Sequence, residues 1–429
     1  MATSESLPLC AFCDSSRLSP VMDFGEVALA GAFLTPDQFD GERKFPLRVC
    51  FCNDCYAVQV IDKVPADVMF QNYFYFSSSI GTLRNHFKAY AEEVSARFLP
   101  APAASTVLEF GCNDGVLLRP LADQGIRTVI GVDPASNVVA TIDDPRVTVV
   151  NDYFTEAVAA GIVERHGPVD MIMANNVYAH IPDIQGTTRA IRLALADDGV
   201  FVFEVHYLGK VIDELQYDMV YHEHLYYYSL ISAIKHFERY GMVVFDVKAV
   251  PIHAGSMRFY VCKKESRHAG TVSDAVRSLE AEELAAGFDR HETFTQFSRK
   301  VEERRRALME LLATLRSQGK RIAGYGASGR ANTMIQYCGI GKDQIDYMVD
   351  DAPAKAGFYT PGSHLLIHPS SVLTEGTPPD YVVVFAWSFV NEIRARNKAY
   401  LERGGRMILP LPEVSVLPPL PASGILPTN

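Results

Sequence analysis

Short apolar runs alternate with stretches of helical spacing through the middle of this chain. The runs lie at 107–110, 128–132, 147–150, 169–174 and 199–205, and each is followed by a small or polar residue: Gly111, Asp133, Asn151, Asn175 and His206. Strands separated by helices need crossover connections, so the pattern predicts a parallel sheet. Two further runs, 242–250 and 256–262, read as a closing antiparallel hairpin. Upstream, Leu83, Phe87, Tyr90, Val94 and Phe98 recur at helical spacing, and the stretch 100–104 breaks that helix. Residues 271–318 read as charged helix, with 300–306 a solvated face. A second alternation follows, with strands at 321–325, 346–349, 381–385 and 406–409 and a helix starting near Arg330. A proline-rich tail then lies over the surface. The N-terminal stretch shows short apolar pieces broken by turn residues and little helix. The chain therefore divides into three parts, 1–72, 73–270 and 271–429, with α/β units in the second and third.

Composition narrows the picture. A hydrophobic content of 48% is ample for several cores. A net charge of −11 without a long basic run argues against nucleic acid as a partner. No apolar run reaches membrane-spanning length, and MATSESLPLC lacks the basic and apolar regions of a signal peptide. The expectation is a soluble, cytoplasmic protein with no membrane partner. Five of the eight cysteines fall in the first part and the rest are scattered, which points to a local metal site rather than a disulfide framework.

That metal site is read from spacing. Cys10-x-x-Cys13 and Cys52-x-x-Cys55 form two knuckles of a tetrahedral thiolate set that suits structural zinc. A short part with little core needs such a metal to fold. Cys50 stands two residues before Cys52 and competes as a ligand, but only Cys52 keeps the spacing.

Glu109 to Gly115, EFGCNDG, is a strand–turn–helix glycine loop. Glu109, Gly111, Asn113, Gly115, Asp133, Asp152 and Asn175 gather at successive strand ends, and Asp133 is placed to accept from a ribose diol. The alternative is a tight turn with surface acids. No basic residue sits in the loop, so a nucleoside cofactor without phosphate, such as S-adenosylmethionine, fits better than NAD. A second loop, Gly324-x-Gly326-x-x-Gly329 with Asp350 at the next strand end, matches the dinucleotide fingerprint, or marks a plain sheet–helix turn. Proton chemistry is offered by His180, His206, Tyr221, Glu223 and His224, histidine being the natural base near neutral pH. His206 reads rather as a satisfied core residue, and alternation along the segment points His222 away from the site. Tyr75 and the serines 77–79 precede a helix, where hydroxyls cap it or bind an anion.

Five blocks in order, the paired CxxC head, EFGCNDG, YHEHLYYYS, IHAGSMRFYV and GYGASGRANT followed by VDDAPAKAGFYTPG, resemble the S-adenosylmethionine-dependent deoxysugar C-methyltransferases, of the type found in tetronitrose biosynthesis. The resemblance spans nearly the whole chain. It implies a zinc-binding head, a central class I Rossmann-like methyltransferase domain, and a Rossmann-like tail that helps bind a nucleotide-linked 4-keto-deoxysugar, dTDP being favoured. It implies His224 as base, with Tyr221, Glu223 and His180 around the sugar. Tyr75 and Ser79 would lie near the diphosphate, and Arg330 and Asn332 in the tail would complete the substrate site. The expected reaction methylates the carbon beside the ketone, C3 ahead of C5, through an enolate. The alternative is an NAD(P)-dependent nucleotide-sugar oxidoreductase using the Gly324–Gly329 loop; a non-catalytic zinc-ribbon scaffold is a third reading.

Overall fold

The structure is a computed structural model that describes residues 7–65, 69, 77–79 and 81–418. Three sheets carry it. The largest runs Met242–Val250, Ser256–Lys263, Leu195–His206, Val169–Asn175, Thr106–Phe110, Thr128–Val132, Val147–Val150. Every pair from Leu195–His206 to Val147–Val150 is parallel, and the hairpin closes it antiparallel, as the apolar pattern predicts. Thr106–Phe110 has Val169–Asn175 on one side and Thr128–Val132 on the other. The order reverses there, and ligands bind at the carboxyl ends beside such a reversal.

The tail sheet runs Ile367–Pro369, Tyr347–Asp350, Ile322–Tyr325, Tyr381–Val384, Arg406–Leu409, Ser415–Val416. Among the described residues Ser415–Val416 is its one antiparallel strand, so the start of the proline-rich tail adds a sheet edge. The helices Asp274–Ala285 and His291–Ser317 are charged, yet the second buries Phe294, Phe297, Val301, Leu308, Leu312 and Leu315. Its run 300–306 is partly engaged: Arg304 and Arg305 donate to the carbonyls of Pro412 and Tyr337.

The N-terminal part differs most from its reading as broken pieces. Leu18–Ala28 and Lys44–Cys52 are long antiparallel strands continued by Val58–Val60. Register shifts between Pro20 and Met22 and between Asp23 and Glu26 break the alternation that would have revealed the first strand. The fourth strand of this sheet, Tyr226–Tyr227, comes from the central part of the chain. Among the described residues, no helix is long and apolar enough to cross a membrane.

Candidate active site

The metal cluster assembles as its spacing requires. One sulfur from each of Cys10, Cys13, Cys52 and Cys55 lies within 4.8 Å of the others. Left-handed Asp14 and Tyr56, at φ 59° and 64°, close the two knuckles, whose amides donate back to the Cys10 and Cys52 carbonyls. Four converging thiols and no open position suit structural zinc. Cys50 is buried outside the cluster, and burial pushes its thiol up to about 11.

At the reversal of the large sheet, Gly111 and Gly115 take left-handed φ of 66° and 76°. A Cβ on Gly111 would stand 2.5 Å from Val177 Cγ2, so the turn fits only glycine. The Asn113 and Ala135 amides donate to the two oxygens of Asp133, each at 2.9 Å. Each oxygen keeps acceptor capacity for a ligand hydroxyl. Burial holds Asp133 above the usual carboxylate range. Asn175 Nδ2 donates to Glu109 Oε1 at 3.0 Å. Asn175 Oδ1 and Glu109 Oε2 are buried without a hydrogen-bond partner among the described residues, and burial raises Glu109 to about 8. An orphaned Asn175 acceptor beside an unpaired Glu109 carboxyl oxygen calls for polar groups from a ligand. The loop and its neighbours offer acids and no base, which suits the cationic S-adenosylmethionine. Asp152 is exposed at the end of Val147–Val150 and accepts from the Tyr153 amide. The Ser77 and Ser78 amides donate to Asn113 and Asp114, so this turn is held on the glycine loop. Tyr75 and the side chain of Ser79 lie outside the described residues.

The proton-handling groups converge on His224. Its Nδ1 lies 2.8 Å from the Met219 carbonyl, and its Nε2 lies 2.8 Å from the Tyr221 hydroxyl. A carbonyl only accepts, so Nδ1 carries the proton and Nε2 accepts from the phenol. His180 stacks on His224 with ring centroids 5.0 Å apart. Burial lowers His224 well below the ordinary histidine value, with neighbouring His180 adding to it, and burial lowers His180 to about 4. Both rings are neutral near pH 7. Burial raises the Glu223 carboxyl, whose Oε1 stands beside Gly31 of the head. His222 is turned to the Pro46 carbonyl, away from His224. His206 Nε2 meets Gln216 Oε1 at 2.9 Å, while its buried Nδ1 has no partner among the described residues.

Arg330 and Asn332 bind protein groups. Arg330 Nε donates to Asp218 Oδ2 at 2.9 Å, and Trp387 Nε1 donates to the same oxygen at 2.9 Å. Asn332 is fully buried and donates to the Ala30 carbonyl. In the second glycine loop, a Cβ on Gly324 would stand 2.3 Å from Met348 Sδ, and one on Gly326 2.6 Å from Ala386 Cβ. Asp350, the residue a dinucleotide ribose would need, accepts from the Ala327 amide and pairs with Lys355 at 3.2 Å. Those glycines serve close packing, the plain-turn reading. Asp218 and Trp387 were not legible as site residues, since an isolated acid and an isolated tryptophan carry no spacing signal.

Three families match successive stretches of the chain. Residues 10–70 match a family described as a zinc binding domain, 83–247 one described as a methyltransferase domain, and 251–412 one described as the C-methyltransferase C-terminal domain. The C-methyltransferase NovU of Streptomyces niveus is 34% identical over 409 residues, covering 95% of this chain and 96% of its own. The ubiquinone biosynthesis O-methyltransferase of Methylobacterium sp. (strain 4-46) is 33% identical over 105 residues, 24% of this chain and 41% of its own. Among solved structures, the glycopeptide N-methyltransferase MtfA complexed with S-adenosylmethionine covers 44% of this chain and 96% of its own at 15% identity and a TM-score of 0.34.

Proposed function

This chain belongs to the S-adenosylmethionine-dependent C-methyltransferase family that includes NovU, and from that premise we propose that it methylates a nucleotide-linked 4-keto-deoxysugar at the carbon beside the ketone, C3, with dTDP as the nucleotide. The observation that carries the reading is the neutral, anchored imidazole of His224 with a phenol on its free nitrogen. A ketone acidifies the hydrogen on the neighbouring carbon. His224 Nε2 takes that proton, and the Met219 carbonyl stabilises the imidazolium through Nδ1–H. Tyr221 cannot donate to Nε2 and to a substrate at once. On substrate arrival its proton turns to the developing enolate oxygen, which frees Nε2 for the carbon acid. Stacked His180 keeps the base in plane, and Glu223 closes the head side of the sugar pocket. Glu109, Gly111, Asn113, Gly115, Asp133, Asp152 and Asn175 hold S-adenosylmethionine, which supplies an electrophilic methyl group. Tyr75, Ser79 and Arg330 form the substrate set, Arg330 through donors that Asp218 leaves over, while Asn332, fully buried on the Ala30 carbonyl, holds the Arg330 helix to the head.

The chain works as a head over 1–72, a catalytic unit over 73–270 and a tail over 271–429. We place it in the cytoplasm, where its free cysteines stay reduced. The NAD(P) oxidoreductase alternative has no support from the family, and Lys355 occupies its acid. The test incubates the protein with methyl-labelled cofactor and a dTDP-4-keto-deoxysugar and reads the product by NMR. Label on C3 is expected. Label on C5 or on oxygen, or none with this acceptor, overturns the assignment.

A further inference from the structure

The zinc-bearing sheet ends on the catalytic segment. Val58–Val60 begins shortly after the second knuckle and pairs with Tyr226–Tyr227, and the Val60 amide donates to the Leu225 carbonyl at 2.8 Å. From the other side, the Leu225 and Tyr226 amides donate to the Ala179 carbonyl at 2.9 and 3.2 Å. Leu225 follows His224 and Ala179 precedes His180. The backbones carrying the two stacked imidazoles are therefore bonded to each other, and the outer one is bonded to the head.

Two side chains tie the metal knuckle to this arrangement. Gln59 is buried in Val58–Val60, opposite Tyr226 in the ladder. Its Nε2 donates to Cys10 Sγ at 3.1 Å, and its Oε1 accepts from the Ala11 amide at 2.9 Å. Phe12, between the two cysteines of the first knuckle, packs edge-on against Tyr226 and His236 with centroids at 4.9 and 4.8 Å, and against Tyr228 at 5.7 Å. An amide donor to a ligating thiolate belongs to the shell that orients a metal site. Here that shell shares its strand with the backbone that places His224.

We infer that Gln59 and Phe12 are positioning residues for proton abstraction: they lock the zinc knuckle onto 225–228 and so set the spacing of His180 and His224, which makes the metal a determinant of catalysis as well as of head folding. The inference rests on His224 being the base. The measurement is solvent deuterium exchange at the substrate carbon without a methyl donor, run beside calorimetry with S-adenosylhomocysteine and metal analysis. Gln59→Leu and Phe12→Leu should each slow exchange about 10–100-fold, the range for outer-shell partners, with cofactor affinity within about twofold of wild type on the scale where tenfold is 1.4 kcal/mol. With cobalt in place of zinc, the thiolate charge-transfer band of Gln59→Leu should move to longer wavelength, since the sulfur loses a hydrogen bond. Exchange at the wild-type rate in both variants, while His224→Asn abolishes it, overturns the inference and spares the base. Loss of cofactor binding in both variants also overturns it, because the effect is then on the whole molecule. Normal exchange in His224→Asn sinks the base assignment, and this inference with it.

Discussion

Burial keeps the His224 imidazole neutral, and that sets how the reaction responds to pH. Its folded pKa lies well below the ordinary histidine value, so Nε2 stays unprotonated as pH falls through about 6.5. The acid limb of the exchange rate should therefore lie below 6.5, as a pH–rate profile with saturating substrate would show; a limb at or above 6.5 would mean another group limits the step. The same burial has a cost for stability. His180 and His206 sit near 4 and 3 in the folded chain, so the unfolded chain binds protons more readily between those values and about 6.5. Stability is full above that window and declines as pH drops into it, which melting curves from pH 7 to 5 should record. At the metal, Cys52→Ser should leave well under one equivalent of zinc per chain, while Cys50→Ser should keep a full equivalent, since only Cys52 belongs to the four-sulfur cluster. Metal analysis of freshly purified variants separates the two.

Among elements, the helix Gly81–Phe98 is held to the large sheet by charge as well as by its apolar stripe. Glu204, fully buried at the end of Leu195–His206, meets His86 of the helix at 2.8 Å and Arg258 of Ser256–Lys263 at 2.9 Å. Arg258 stacks on Tyr90, and Glu93 takes its other edge at 3.2 Å. Glu204→Gln keeps the shape but leaves Arg258 half compensated at 2% exposure. Breaking a buried pair costs about 3–5 kcal/mol, and Glu93 places this one near the lower end. Urea unfolding should show a lower midpoint with an unchanged slope; a loss under about 1 kcal/mol would mean that Glu93 alone satisfies the arginine. Much of this level was legible. The 128–132, 147–150 and 242–250 strands appear where the apolar runs place them; 128–132 is continuously apolar because a central parallel strand is buried on both faces, whereas 147–150 is a half-exposed edge strand and 242–250 pairs antiparallel. The first strand of the head was not, because its bulges put successive apolar residues on different faces.

Across the whole molecule, Asp218 joins the tail to the catalytic segment. It is fully buried just before Tyr221, and it gathers Arg330 and Trp387, residues 112 and 169 positions away. Asp218→Asn weakens a charged hydrogen-bonded pair worth about 1.5–3 kcal/mol. The substrate KM should rise by roughly tenfold or more, while S-adenosylhomocysteine binds as in wild type, because Arg330 and Trp387 follow strands of the tail sheet and the cofactor loop stands on the large sheet. Equal losses of both affinities in calorimetry would show that Asp218 supports the entire fold instead.

The sequence by itself determined the features encoded by near neighbours. Paired CxxC spacing brings each pair of sulfurs together through one tight turn, strand ends deliver Glu109, Asp133 and Asn175 to one edge of a sheet, and a single short segment carries Tyr221 and His224 within reach of each other. Only the tertiary structure decided what those groups meet: that Arg330 faces Asp218, that Asn332 serves the head, that Lys355 holds Asp350, and that the zinc sheet takes Tyr226–Tyr227 as its last strand. Local patterns report periodicity and turn geometry. The partner of a buried charge or an unpaired strand edge is chosen by the cost of leaving it unsatisfied, and that cost is settled only when distant segments have packed.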